Sequence, residues 1–100
     1  MEADMTMCAA VLKMLCDGFG KDDPISRRAA CLTLCETPES YNRVLERLAA
    51  QFLLDIVYFP NLTTGKEMLF PVLHYGTLKL VRASSPERVL QSNISPLRRQ

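Results

Sequence analysis

Ile56-Val57-Tyr58-Phe59-Pro60-Asn61-Leu62-Thr63-Thr64-Gly65-Lys66-Glu67-Met68-Leu69-Phe70-Pro71-Val72-Leu73 is the stretch on which the architecture turns. Asn61 to Gly65 is a loop by composition, because Asn, Thr and Gly favour turn conformations. Thr64 followed by Glu67 has the form of a capping box and predicts a helix opening at Gly65 or Lys66. Pro71 would then fall inside that helix, and Gly76 would weaken it further. A competing reading makes Ile56–Phe59, Glu67–Leu73 and Leu78–Arg82 strands of a meander, with turns at Thr64-Gly65 and Tyr75-Gly76. Residues 68–73 are continuously apolar, so periodicity does not separate helix from strand.

Upstream, the pattern is helical. Met7, Cys8, Val11, Leu12 and Leu15 recur at the spacing of one helix face, and Gly18 and Gly20 stop that helix after Asp17. Asp23-Pro24 opens a second helix over Ile25 to Glu36, since Asp accepts from free amides and proline suits the first turn. Beyond Arg28 this helix is nearly apolar, which predicts that it runs through the middle of the fold with Arg27 and Arg28 in water. Thr37-Pro38-Glu39 repeats the start signal. The third helix places Tyr41, Val44, Leu45, Leu48, Ala49, Phe52, Leu53 and Ile56 on one stripe, with Asn42, Arg43, Glu46, Arg47 and Gln51 opposite. It is expected to continue to Phe59, where Pro60 ends it. Downstream, Ser85-Pro86-Glu87 is a third start signal, followed by Arg88, Val89, Leu90 and Ile94 at helical spacing.

An internal echo adds to the helical reading. Leu32-Thr33-Leu34-Cys35 before Thr37-Pro38-Glu39 is similar to Leu78-Lys79-Leu80-Val81 before Ser85-Pro86-Glu87, and Gly20-Lys21-Asp22 is similar to Gly65-Lys66-Glu67. The offset lies within the period of about 40–47 residues found in HEAT and armadillo arrays. The run from Asp22-Asp23-Pro24 through Arg27-Arg28-Ala29-Ala30-Cys31-Leu32 to Thr37-Pro38-Glu39-Ser40-Tyr41-Asn42 resembles the middle of an armadillo-type repeat, mainly over residues 11–56. That resemblance implies a mainly α fold, a small helical domain with armadillo/HEAT-like packing. Two repeats do not close a solenoid core, so it also implies a second chain. The alternative fold is α+β, three helices and a C-terminal β-hairpin in a winged-helix-like order. On either reading residues 1–83 form one helical-rich domain, and residues 84–100 a short helix and a frayed basic tail.

Composition narrows the function. The chain has 100 residues, 48% of them hydrophobic and 23% charged, with a net charge of +1. A domain this small buries only about two-thirds of its unfolded surface, so shielding by a partner would help it. Near-neutral charge lacks the basic excess of a dedicated nucleic-acid binder. The charge is uneven: −3 over residues 1–24, zero over 25–55 and +4 over 56–100. Met1-Glu2-Ala3-Asp4 lacks the basic start of a secretory leader, and no apolar run approaches the ~20 residues of a membrane span. The expected location is cytoplasmic or nuclear. There Cys8, Cys16, Cys31 and Cys35 are reduced, buried thiols, and the sequon Asn61-Leu62-Thr63 goes unmodified.

No constellation carries catalysis. Cys31 and Cys35 share a helix face and His74 is the only histidine, but no Cys-x-x-Cys pair supplies a zinc-type ligand set. Every cysteine lies beside an apolar stripe, unlike an exposed nucleophile with a base. Thr63-Thr64-Gly65-Lys66 fails as a phosphate loop, because Pro60 and Glu67 occupy the positions of the first glycine and the magnesium-binding hydroxyl. Ser95-Pro96-Leu97-Arg98 fits a proline-directed kinase consensus.

The function expected is therefore a non-catalytic protein–protein interaction adaptor or regulatory subunit, self-associating as a homodimer, with no cofactor and no metal. Its contacts are placed on Met5, Met7 and Met14, because methionine adapts to partner surfaces, and on Arg43, Arg47 and Gln51 of the third helix. The alternative is a winged-helix or helix-turn-helix nucleic-acid-binding regulator, with Asn42, Arg43, Arg47 and Gln51 reading base edges and Lys66 on the wing. Glu39 and Glu46 on the same face oppose it.

Overall fold

Three short polar residues followed by proline set the helical starts. Asp23 Oδ1 accepts from the Ser26 amide at 2.8 Å, Thr37 Oγ1 from the Ser40 amide at 3.1 Å, and Ser85 Oγ from the Arg88 amide at 3.1 Å. Each satisfies an amide that has no partner within its helix. The bonds from Ser26 also hold the exposed Asp23 carboxyl below its ordinary range. A computed structural model of the chain describes residues 5–21 and 23–94. The elements run α1 (Met5–Asp17), α2 (Pro24–Cys35), α3 (Pro38–Ala50), β1 (Leu54–Pro60), β2 (Glu67–Leu73), α4 (Tyr75–Ala83) and α5 (Pro86–Ile94). The chain is thus mostly helical with one small antiparallel sheet, and none of its described helices is long and apolar enough to cross a membrane.

The core gathers one face of each helix. Val11, Leu12 and Leu15 of α1 meet Tyr41, Val44, Leu45 and Leu48 of α3, closed by Leu54, Leu69, Leu78, Val89 and Leu90. Because α5 contributes Val89 and Leu90, it belongs to the same core as residues 5–83. Helix α2 differs from its expectation. Only Cys31 and Cys35 are buried, while Ala29, Ala30, Thr33 and Leu34 face solvent. Alanine and threonine cover too little area to draw a helix inward, so its two cysteines anchor it and the helix lies on the surface. Arg28, expected in water, is half-buried instead. It donates from Nη1 to the Leu69 carbonyl at 3.0 Å and stands 5.5 Å from the ring centres of both Tyr41 and Phe70.

Helix α3 also stops earlier than its pattern predicts. At its end the Phe52 amide donates to the Ala49 carbonyl and the Leu53 amide to the Leu48 carbonyl, with Phe52 at φ +64°. This is a Schellman termination, and the buried pair Leu48 and Leu53 makes its hydrophobic contact. Phe52, Leu53 and Ile56 fit a helical stripe by spacing, but Leu54, Ile56 and Tyr58 also fit the inner face of a strand. The strand is what forms. Across the tip, Asn61 Oδ1 accepts from the amides of Thr63 and Thr64, and Gly65 sits at φ +76°. Thr64 and Glu67 therefore belong to a hairpin loop and to β2, not to a helix start. Leu78–Arg82 lies within α4, so the hairpin has two strands and no third.

The register pairs Leu54 with Leu73, Ile56 with Pro71, Tyr58 with Leu69 and Pro60 with Glu67. The Asn61 amide donates to the Lys66 carbonyl, and the His74 amide to that of Leu53. Hydrogen-bonded pairs of the ladder thus fall on the odd residues of β1, because bonded and non-bonded pairs alternate. Backbone groups of Leu54, Ile56 and Tyr58 point away from β2, and those of Leu69, Pro71 and Leu73 point away from β1. Pro71, which has no N–H, costs the ladder nothing there.

Candidate functional site

Residues opposed across the ladder share a face, so Leu54, Ile56, Tyr58, Leu69, Pro71 and Leu73 form one side of the sheet and Asp55, Val57, Phe59, Met68, Phe70 and Val72 the other. The first side meets the helices. The second is apolar apart from Asp55 and is open to solvent, with Phe59 and Val72 about half exposed. The Phe59 and Phe70 rings meet tilted at 54°, with their centres 5.4 Å apart. Together with Pro24 and Ile25 at the start of α2, these side chains border a shallow groove of about 750 Å³. Ile25 is 73% exposed. Large apolar side chains clustered this way on a surface mark a contact site far more than single ones do.

A second groove, of about 620 Å³, runs between α3 and the hairpin. Asn42, Glu39 and Glu46 line it from α3, and Lys66 and Glu67 from the hairpin, with Arg28 at its base. Its carboxylates outnumber its cations, and Arg28 is already committed to Leu69 and two rings.

The residues singled out from sequence are dispersed. Met5, Met7 and Met14 are half-buried and pack against the core along α1. On α3, Arg43 is exposed and its Nη2 reaches Ser40 Oγ at 3.4 Å, while Arg47 and Gln51 are half-buried. The Arg47 Nε is enclosed with no hydrogen-bond partner among the described residues. Ser95, Pro96, Leu97 and Arg98 lie outside the described residues. The apolar face of the hairpin was not singled out from sequence. Val57 and Phe59 alternate with Ile56 and Tyr58, so both phases of β1 are greasy and no polar phase marks the outer one.

The thiols of all four cysteines are buried. Burial pushes the Cys16 and Cys31 thiols up and the Cys35 thiol up to about 11. The Tyr41 phenol lies near Cys31 without a hydrogen bond of ordinary geometry, and burial raises it too. Among the described residues no three histidine, cysteine or carboxylate side chains converge as a metal site would require. His74 sits at the start of α4, Nδ1 3.0 Å from the Phe52 carbonyl and Nε2 3.1 Å from Asp55 Oδ2, tying α3's exit to β1. No family model, no curated protein and no solved structure matches the chain.

Proposed function

We propose that this chain is a non-catalytic protein–protein interaction module, an adaptor or regulatory subunit that self-associates and works in the cytoplasm or nucleus. The observation that carries the reading is the outer face of the hairpin, where Val57, Phe59, Phe70 and Val72 continue into Ile25. Burying such a surface yields about 25 cal/mol for each Å² of apolar area removed from water, a gain only a partner can supply. Light scattering across micromolar concentrations is the test. A dimeric or larger mass supports the reading, and a chain that stays monomeric throughout overturns it.

The order of elements favours a second reading. Helices α2 and α3 are joined by Glu36 and Thr37 alone, and a hairpin follows and flanks α3, which is a winged-helix-like arrangement. The armadillo/HEAT resemblance has only the α2–α3 pair to support it. In the winged-helix reading Asn42 and Arg43 meet a duplex, with Lys66 on the wing. Function follows the site more than the scaffold, and Glu39, Glu46 and Glu67 line the cleft that a phosphate backbone would approach. The interaction reading is preferred for that reason.

A further inference from the structure

We propose that a second copy of this chain adds to the free edge of β1, strand against strand and antiparallel about Val57, to form a four-stranded sheet. The inference rests on the self-association in the interaction reading above and assigns it to a contact beside that apolar face, the edge of the sheet. The outward-pointing backbone of β1 has sharp limits. Leu54 is 1% exposed, so its groups are closed off, and Pro60 has no N–H to give. Between them, Ile56 and Tyr58 offer an outward amide and carbonyl each, and no backbone partner takes them among the described residues.

That short segment is its own complement. With Val57 opposite Val57 of the second copy, the Ile56 amide donates to the other copy's Tyr58 carbonyl and the Tyr58 amide to its Ile56 carbonyl, and the same two bonds recur by symmetry. An isologous contact of this kind closes on two copies. Asp55, the only charge in β1, then lies opposite Phe59 and away from its counterpart, so like charges do not meet. Val57 and Phe59 of each chain join into one apolar face across the new seam. Strand addition takes affinity from main-chain bonds and register from alternate side chains.

Val57 would stand in a non-hydrogen-bonded pair with its counterpart, Cα atoms about 4.5 Å apart, a spacing that a disulfide spans. Because the native thiols are buried, Val57→Cys supplies one accessible sulfur, and Thr63→Cys at the exposed hairpin tip is its control. Under oxidised glutathione, Val57→Cys should form the disulfide dimer about tenfold or more faster than Thr63→Cys, since pairing raises the local thiol concentration. Equal rates overturn the proposal. A charge exchange supplies the second measurement: Val57→Glu and Val57→Lys should each be monomeric alone and dimeric when mixed. If native chain is dimeric but neither experiment responds, this strand pairing is wrong and the interaction reading stands. If native chain is monomeric, both are wrong.

Discussion

Two side chains occupy backbone conformations that suit glycine. Glu36 joins α2 to α3 at φ +74°, ψ −40°, and the Thr37 amide donates to the Cys35 carbonyl across it, closing a strained three-residue γ-turn. Phe52 holds φ +64° at the end of α3 with its ring 73% exposed. Conformations of this kind cost about 1–3 kcal/mol in a residue that carries a Cβ. Glu36→Gly and Phe52→Gly should therefore each stabilise the fold by roughly 1 kcal/mol, which thermal unfolding would read as a rise of about 4–8 °C. The buried thiols set a pH limit. An unfolded cysteine loses its proton near 9.0, whereas Cys35 holds its own to about 11. Their contribution is complete below pH 9 and fades as pH rises through 11, because there the unfolded state binds fewer protons. Urea titrations at intervals from pH 8 to 11 should show steadily falling stability. Iodoacetamide at pH 8 should label the folded chain slowly and the unfolded chain at all four cysteines.

At the scale of elements, Arg28 bolts α2 to the sheet through one hydrogen bond and two ring faces. A bond from a charged donor contributes about 1.5–3 kcal/mol, and stacking on a ring about 0.5–1 kcal/mol at partly exposed sites. Arg28→Ala should cost about 2 kcal/mol in denaturant unfolding. Arg28→Lys should recover less than half, because an ammonium lacks the planar fork. Helices with a clear start signal were legible in the sequence: Asp23-Pro24, Thr37-Pro38 and Ser85-Pro86 each cap the helix they announce. The hairpin was legible only as the competing reading, strands Ile56–Phe59 and Glu67–Leu73 with a turn at Thr64-Gly65, because Leu53 to Phe59 satisfies a helical stripe and a strand alternation together. What separates them is the Schellman turn at Phe52, a position where sequence gives no glycine to read. Arg28 was equally hidden, since a half-buried arginine pairing with a strand carbonyl 41 residues away leaves no local trace. The exposed hairpin face was not singled out because both phases of β1 are apolar, while Met5, Met7 and Met14, singled out from sequence, are partly buried and pack against the core.

For the whole molecule the question is which surface meets the outside. A net charge of +1 and a cleft with more carboxylates than cations predict weak attraction to nucleic acid. Titrating a generic duplex from 50 to 200 mM salt should show little binding and a shallow dependence. A slope of log affinity on log salt of −3 or steeper, equivalent to about three or more neutralised phosphates, would transfer the argument to α3 and Lys66. The two edges of the sheet are not alike. Along β2 an imino acid, Pro71, stands where an amide would be offered, and the Leu69 carbonyl is already bonded to a guanidinium. Runaway fibril growth needs a fresh docking rim on every unit added, and of the two sheet edges among the described residues that of β1 is the less obstructed. In the pairing proposed above each copy would use up the other's rim, so the dimer would turn its oily ribbon outward while offering no such rim for further growth.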